Sequence, residues 1–384
     1  LYKKDFIVNN AIFKYFVYNT FLYNSLKSKV LMKDSKIVDL FCGIGGLSYG
    51  LKQVGFDIIA GYDLDKTCKY AYEKNINASF ITKNIKDISL QEIQEHFKKA
   101  RYRILVGCAP CQTFSQYTQQ SKQKIKNRDD EKWTLLNEFL RIIVGIQPDI
   151  ISLENVPNLV KYPIFENFIS ILEEQGYFID YKIIFCPDYG IPQNRRRLVL
   201  LGSKIKEIQI IKKTHCKDNY ITVKDAIGFL PKIKSGEQSK TDPLHIAKPL
   251  SSLNLERIKA TPKNGGSWKD WPEHLILKCH KKESGKNFGS VYGRMKWEEP
   301  SPTMTTFCTS LGNGRFGHPE QNRAISLREA SLLQTFPIDY DFIDDNIGVQ
   351  TTVTSRHIGN AVPPRLGEII GISIKKHLIG EAYG

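Results

Sequence analysis

The run Lys36-Ile-Val-Asp-Leu-Phe41 is short and apolar. It breaks into Cys42-Gly43-Ile44-Gly45-Gly46, and apolar residues then recur at helical spacing from Leu47 to Val54. A buried strand, a glycine turn and a helix in that order predict a mostly parallel α/β sheet covered on both faces. The turn also makes room for a ligand, because glycines let backbone approach a bound group and the helix start offers N–H donors. It is not the dinucleotide fingerprint: the third glycine position of GxGxxG holds Ser48, which disfavours a nicotinamide-dependent dehydrogenase. Asp63 ends the next apolar run, Phe56 to Tyr62, 20 residues after Gly43. A carboxylate placed there can accept hydrogen bonds from ribose hydroxyls.

The alternation continues along the chain. Ser79–Thr82, Arg103–Gly107, Asp149–Leu153, Phe178–Phe185 and Arg197–Leu201 read as strands; Cys68–Lys74 and Leu135–Ile146 read as helices. After Ser203 the periodicity fades, and Lys232–Pro243 and Thr261–Trp271 read as loops. Helical spacing returns at Ser326–Gln334 and Leu366–His377. Charge is uneven. Between Ser203 and Glu299 stand 18 Lys and 2 Arg against 7 Glu and 4 Asp, a net +9 of the chain's +15. A basic excess concentrated in one segment suits a polyanionic partner, with that segment as the first candidate for phosphate contact.

Eight cysteines lie scattered without a framework, which suits thiols kept reduced. Cys108 and Cys111 form a CxxC, but there is no second CxxC and no HExxH. The pairs His215-Cys216 and Cys279-His280 stand in no supporting context, so no metal site is expected. No apolar run reaches the length of a membrane span. Phe6 to Tyr23 is aromatic but lacks a signal-peptide cleavage pattern, and Met32 reads as a natural start, leaving residues 1–31 as an extension without a catalytic role.

Three segments carry chemistry at strand ends. Gly107-Cys108-Ala109-Pro110-Cys111-Gln112-Thr113-Phe114-Ser115 follows the fourth strand, and a cysteine there is either a buried structural thiol or a nucleophile activated by positive charge. Glu154-Asn155-Val156-Pro157 follows the fifth strand, where convergence of strand ends allows Glu154 to face the pocket of Cys111. Gln193-Asn194-Arg195-Arg196-Arg197 leads into a strand, and alternation puts Arg195 and Arg197 on one face with Arg196 on the other.

In this order, the segments resemble the cytosine-5 DNA methyltransferases of bacterial restriction–modification systems. The resemblance runs from Lys36 to the C-terminus except for about 204–295. It rests on Val38-Asp-Leu-Phe-Cys-Gly-Ile-Gly-Gly46, Pro110-Cys111-Gln112 with Phe114-Ser115, Glu154-Asn155-Val156, and Gln193 with Arg195 and Arg197. Later segments add Pro300-Ser-Pro-Thr-Met-Thr-Thr306, Arg328-Glu329-Ala330 with Leu333-Gln334 and Phe336-Pro337, and Gly359-Asn360-Ala361-Val362-Pro363-Pro364.

The resemblance implies a Rossmann-like S-adenosylmethionine-dependent methyltransferase sheet with a smaller, irregular target-recognition domain. The expected division is a catalytic domain over 32–203, recognition over 204–345, and a segment over 346–384 returning to the catalytic domain. It implies covalent catalysis by Cys111, with Glu154, Arg195 and Arg197 as its catalytic companions. It implies S-adenosyl-L-methionine held by Phe41, Gly43, Ile44, Gly45, Gly46, Asp63, Leu64, Asn84, Ile85, Pro110, Asn360, Ala361 and Val362. Double-stranded DNA is the implied partner, touched by Gln112, Ser115, Lys122, Lys124, Lys126, Arg128 and Gln193, with Gln116 to Asp130 as a lid over a flipped base. The protein is then a monomer in a bacterial cytoplasm, beside a cognate restriction endonuclease. A transfer-RNA methyltransferase of the same fold and a catalytically inactive DNA-binding relative are the alternatives. Three positions depart from the family's pattern. Cys108 and Ala109 stand where Gly and Pro are common, Asp63 replaces a frequent Glu, and the adenine contact falls to Asn84 or to Asp87.

Overall fold

The computed structural model describes residues 32, 34–110, 129–286, 288–380 and 382–383, with backbone alone for 129–133 and 286. Its strands are β1 (Ser35–Leu40), β2 (Asp57–Asp63), β3 (Ser79–Thr82), β4 (Tyr102–Gly107), β5 (Ile150–Asn155), β6 (Phe178–Phe185), β7 (Gln193–Asn194), β8 (Arg196–Ser203) and β9 (Ser301–Pro302). Seven form one sheet in the order β3-β2-β1-β4-β5-β8-β6, and β7 pairs with β9. The parallel arrangement expected from sequence holds from β1 through β5. It ends at β8, which is antiparallel to both β5 and β6. The reason is the connection: the stretch from Phe185 to Arg196 holds a 3-10 turn and β7, with no room for the helical crossover a parallel return needs.

Alternation divides the core into two layers. Ile37, Ile104, Val106 and Ile150 face one side, joined by Leu47, Leu51, Ile369 and Ile374. Val38, Leu40, Leu105 and Leu153 face the other, joined by Phe139, Ile143, Phe168 and Leu172. The helices in these layers are α1 (Gly46–Val54), α2 (Lys69–Ile76), α3 (Leu90–His96), α4 (Asp129–Ile146) and α5 (Pro163–Glu174). No described helix is long and apolar enough to cross a membrane.

Beyond Ser203 the described regular structure is short helices such as α6 (Val223–Ile227) and α7 (Ser252–Ala260) and the two-residue β9, until α8 (Leu327–Leu333), α9 (Thr351–Asn360) and α10 (Pro364–Ile379). A third cluster, including Val223, Leu244, Met295, Met304, Phe316 and Ile358, centres this region. With few ladders, its buried carbonyls need other donors. Arg294 supplies them: its guanidinium donates to the carbonyl oxygens of Ile258, Thr261, His318 and Gln321 and to Asn322 Oδ1, at 2.6 to 3.1 Å. The basic excess counted for this segment therefore includes one charge that lies inside the protein.

Candidate active site

The glycine turn is left-handed at Phe41, Gly43 and Gly45, with φ of 63°, 52° and 86°. Non-glycine residues seldom adopt such values, so the two glycines relieve most of that strain. Gly43 N–H donates to Asp63 Oδ2 at 2.8 Å, and Asp65 N–H donates to Oδ1 at 2.8 Å. The β2 carboxylate is thereby fixed beside the turn. Burial raises its pKa, and the backbone donors oppose the rise. A Cβ built on Gly43 meets nothing within 4 Å, so this side of the turn is open. Leu64, next to Asp63, exposes 67% of its surface.

Behind the turn, Ser48 answers for the missing third glycine. Its hydroxyl donates to Asp39 Oδ2 at 2.6 Å, and burial pushes the Asp39 carboxyl up to about 7. Ile44 is buried, with its carbonyl accepting from Tyr340 Oη. Val362 closes the other side, since a Cβ on Gly46 would lie 2.1 Å from its carbonyl oxygen. Gly46→Ala is thus expected to destabilise the fold by about 1–3 kcal/mol through overpacking. Urea denaturation measures this, and an unchanged midpoint would refute it.

Among the other residues assigned to the cofactor, Asn360 is exposed at the end of α9, and Ala361 accepts from Gln334 Nε2 at 2.6 Å. Asn84 caps a 3-10 turn, its Oδ1 accepting from Lys86 N–H at 3.1 Å, while Ile85 is buried and Asp87 exposed.

The strand order β4-β5-β8 brings the chemistry together. Glu154, 2% exposed, lies between its neighbours: Cys108 Sγ donates to Oε2 at 2.7 Å, and Arg197 Nε stands 2.9 Å from Oε1. Asn155 Nδ2 donates to Ala109 O at 3.2 Å, fastening the end of β5 to the segment leading to exposed Pro110. Arg195 is buried, with Nη1 donating to Met304 O at 3.2 Å and Nε without a hydrogen-bond partner. Burial and the neighbouring Arg197 lower its pKa to about 10, which leaves it charged at neutral pH. Arg196 turns outward over the Phe185 ring, 4.5 Å from its centroid, as alternation requires.

Cys111, Gln112, Ser115, Lys122, Lys124, Lys126 and Arg128 lie outside the described residues. Gln193 requires a correction. Expected to touch DNA, it is 0% exposed, its Nε2 donating to Gln334 Oε1 at 2.7 Å and its Oε1 accepting from Met304 N–H at 3.0 Å. Pairing of β7 with β9 carries it inward, where it braces Arg195 and has no surface to offer a duplex. The link from Cys108 to Glu154 had no signal beyond the residue's departure from the family pattern.

Away from this centre, donor atoms of Asp65, Cys68 and His357 lie within 4.8 Å of one another. Arg356 Nη2 stands 2.7 Å from Asp65 Oδ2, and Thr67 Oγ1 lies 2.8 Å from His357 Nε2. A cation already occupies that carboxylate, so the cluster works as a clamp between the end of β2 and α9.

Residues 35–376 match the family of C-5 cytosine-specific DNA methylases. The chain is 51% identical over 347 residues to the Type II methylase M.HgiDII of Herpetosiphon aurantiacus, covering 90% of this chain and 96% of that protein. It is 30% identical over 382 residues to the Type II methyltransferase M1.HphI of Haemophilus parahaemolyticus, covering 98% and 96%. Its fold is shared with a crystal structure of a DNA modification methyltransferase encoded within a prophage (E. coli), at a TM-score of 0.68 and 23% identity, covering 90% of this chain and 99% of that one. With the family model spanning 35–376 and a relative half identical over nine-tenths of its length, the chain belongs to the C-5 cytosine-specific DNA methylases and is a DNA cytosine-5 methyltransferase.

Proposed function

We propose that this enzyme methylates a flipped-out cytosine in a specific duplex sequence, as the modification arm of a bacterial restriction–modification system. The observation that carries the chemistry is Glu154, buried at the end of β5 with Cys108 Sγ donating to Oε2 and Arg197 Nε 2.9 Å from Oε1. Carbon 5 of cytosine is a poor nucleophile within an aromatic ring. Attack by the Cys111 thiolate on carbon 6 breaks that aromaticity and makes carbon 5 enamine-like. Glu154 holds the N3 and amine edge and, protonated, donates to N3 as charge develops. Arg197 orients Glu154, and Arg195 has a buried Nε to offer the base. Once carbon 5 carries the methyl group, a base takes its proton, the N3 proton returns to Glu154, and breakage of the carbon 6–sulfur bond expels the Cys111 thiolate.

The donor side fits as well. Open space over Gly43, the fixed Asp63 carboxylate and the exposed Leu64 side chain suit a nucleoside whose ribose binds the acid and whose base lies on Leu64. S-adenosyl-L-methionine bound there supplies an electrophilic methyl group. Asp63, the turn amides and Asn360 hold it, and Asn84 or Asp87 meets its adenine.

A stacked duplex hides carbon 6, so the target base must leave the helix. Lysines of the 204–295 segment hold phosphates and polar side chains there read base edges. The setting is a monomer on DNA in a bacterial cytoplasm, with an endonuclease of the same specificity as partner. Bisulfite sequencing of host DNA after expression, beside a Cys111→Ala control, tests the reading. Protection of cytosines at one recurrent sequence, lost in the control, is expected. Absence of Cys111-dependent 5-methylcytosine from a host carrying folded protein would overturn it.

A further inference from the structure

We infer that Cys108 is a positioning residue for Glu154: its thiol supplies the hydrogen bond that holds Oε2, opposite the charge of Arg197 beside Oε1, and so orients the acid toward the base. The inference rests on the role of Glu154 proposed above.

Register makes the contact. Gly107 of β4 pairs with Leu153 of β5, so the residues that follow each, Cys108 and Glu154, emerge side by side. The sulfur lies 2.7 Å from Oε2, with the thiol as the donor. Arg197 reaches Oε1 from β8 on the other flank, at 2.9 Å. Arg197 supplies charge beside Oε1 but no hydrogen bond to it, so on its own it leaves the carboxylate free to pivot. The Cys108 thiol adds the hydrogen bond that sets the carboxylate plane, and lone pairs remain for the base edge.

Among the described residues, the charged and titratable groups facing Glu154 are Cys108 after β4, Cys186 after β6, Arg195 between β7 and β8, and Arg197 on β8. Burial pushes the Cys186 thiol up to about 11, so it adds no charge at neutral pH. Two cations therefore surround one acid, and Cys108 contributes a neutral donor that fixes direction without a third positive charge. Where glycine stands at this position, that donor is missing.

The test compares wild type, Cys108→Ala, Cys108→Ser and Glu154→Gln in steady-state methylation of a duplex substrate across pH, with an infrared spectrum of the S–H stretch. Cys108→Ala should lower kcat by about tenfold, the worth of one hydrogen bond to a charged group, with KM for DNA unchanged. A carboxylate that loses a donor keeps its proton to higher pH, so the alkaline limb of the kcat profile should move upward. Cys108→Ser, which retains an O–H donor, should restore both rate and profile. The S–H band assigned through Cys108→Ala should shift in Glu154→Gln. The inference is overturned if Cys108→Ala keeps the wild-type profile, if the alanine and serine variants lose rate equally with no displacement of the limb, or if the band stays put in Glu154→Gln. A fully active Glu154→Gln would instead overturn the proposed role of Glu154, and the inference with it.

Discussion

Replacing Glu154 with Gln is expected to slow methyl transfer by about 10²–10⁴-fold, the usual contribution of a positioned acid or base, while DNA binding stays intact. The geometry makes even this isosteric change severe. Oε2 accepts from Cys108 Sγ, and Oε1 lies 2.9 Å from the Arg197 Nε charge. An amide has one acceptor and one donor end, so its NH2 must turn away from Arg197 and toward the sulfur. The group that remains cannot pass a proton to N3. It also leaves the charges of Arg197 and buried Arg195 without the Glu154 carboxylate beside them. Single-turnover transfer measures the rate, and a mobility shift on the same duplex measures binding. A Glu154→Gln enzyme at full rate would remove this residue from the chemistry.

The largest loss of stability is expected from a pair far from that centre. Arg323 is 0% exposed and donates through Nη1 and Nη2 to the two oxygens of buried Glu329, each at 2.7 Å. Glu329 also accepts from Ser326 N–H at 2.7 Å, while Ser326 Oγ accepts from Glu329 N–H at 3.1 Å, closing a capping box at the start of α8. Glu329→Ala removes the cap and strands a buried guanidinium, a change that costs about 3–5 kcal/mol. At roughly 2–4 °C per kcal/mol for chains of this order of size, Tm should fall by about 10 °C. Joint replacement of Arg323 and Glu329 by leucine should cost less than Glu329→Ala alone, because no charge is left unpaired. A single variant that melts with wild type would refute the argument.

The same cluster sets an acid limit. Glu329 is lowered from its ordinary 4.5 to about 2, mainly because Arg323 outweighs the cost of burial. His318 is lowered from 6.5 to about 4 by burial, and two backbone N–H groups, from Glu320 and Gln321, point at its Nδ1, which suits a neutral ring. Both folded values lie below the unfolded ones, so below each unfolded value the unfolded chain binds the extra proton. The cluster's contribution to stability should be complete above pH 6.5, fall through the His318 window toward pH 4, and keep falling from 4.5 toward 2 as Glu329 is protonated. Urea midpoints across pH, with and without His318→Gln, resolve the first window. An unaltered slope between pH 6.5 and 4 in that variant would exclude His318 as its source.

Legibility followed burial. β1 through β5 announce themselves because strands covered on both faces are nearly continuous apolar runs, and Val38 or Ile151 is apolar whatever comes later in the chain. The direction of β8 was not legible, since its own residues suit either direction and only the connection from Phe185 to Arg196 decides. Helix α5 carries a local signal in Phe165, Phe168 and Leu172 with Pro163 at its first turn, whereas α9 is mostly polar and gives little. In the site, Glu154 and the alternation of Arg195 and Arg197 were readable from strand ends. The burial of Gln193 was not, because it depends on Ser301 and Pro302 arriving from far along the chain to pair with it. Arg294 was counted with the phosphate-facing charge for a similar reason: composition records a charge and says nothing of the carbonyls that will surround it.

The glycine turn is closed by partners that are distant in sequence. Tyr340 hydrogen-bonds Ile44, 296 residues away, and the start of α10 lies backbone to backbone on α1, where a Cβ on Gly50 would come within 2.2 Å of Pro364 O. A nascent chain emerging from the ribosome can lay down β1 and α1 early, yet it cannot close the glycine turn until Tyr340, Val362 and α10 have been synthesised. Loop closure over such a span is slow, so activity should trail chain completion by the time the late helices take to dock. The order of synthesis thereby acts as a delay on when newly made enzyme can first modify DNA.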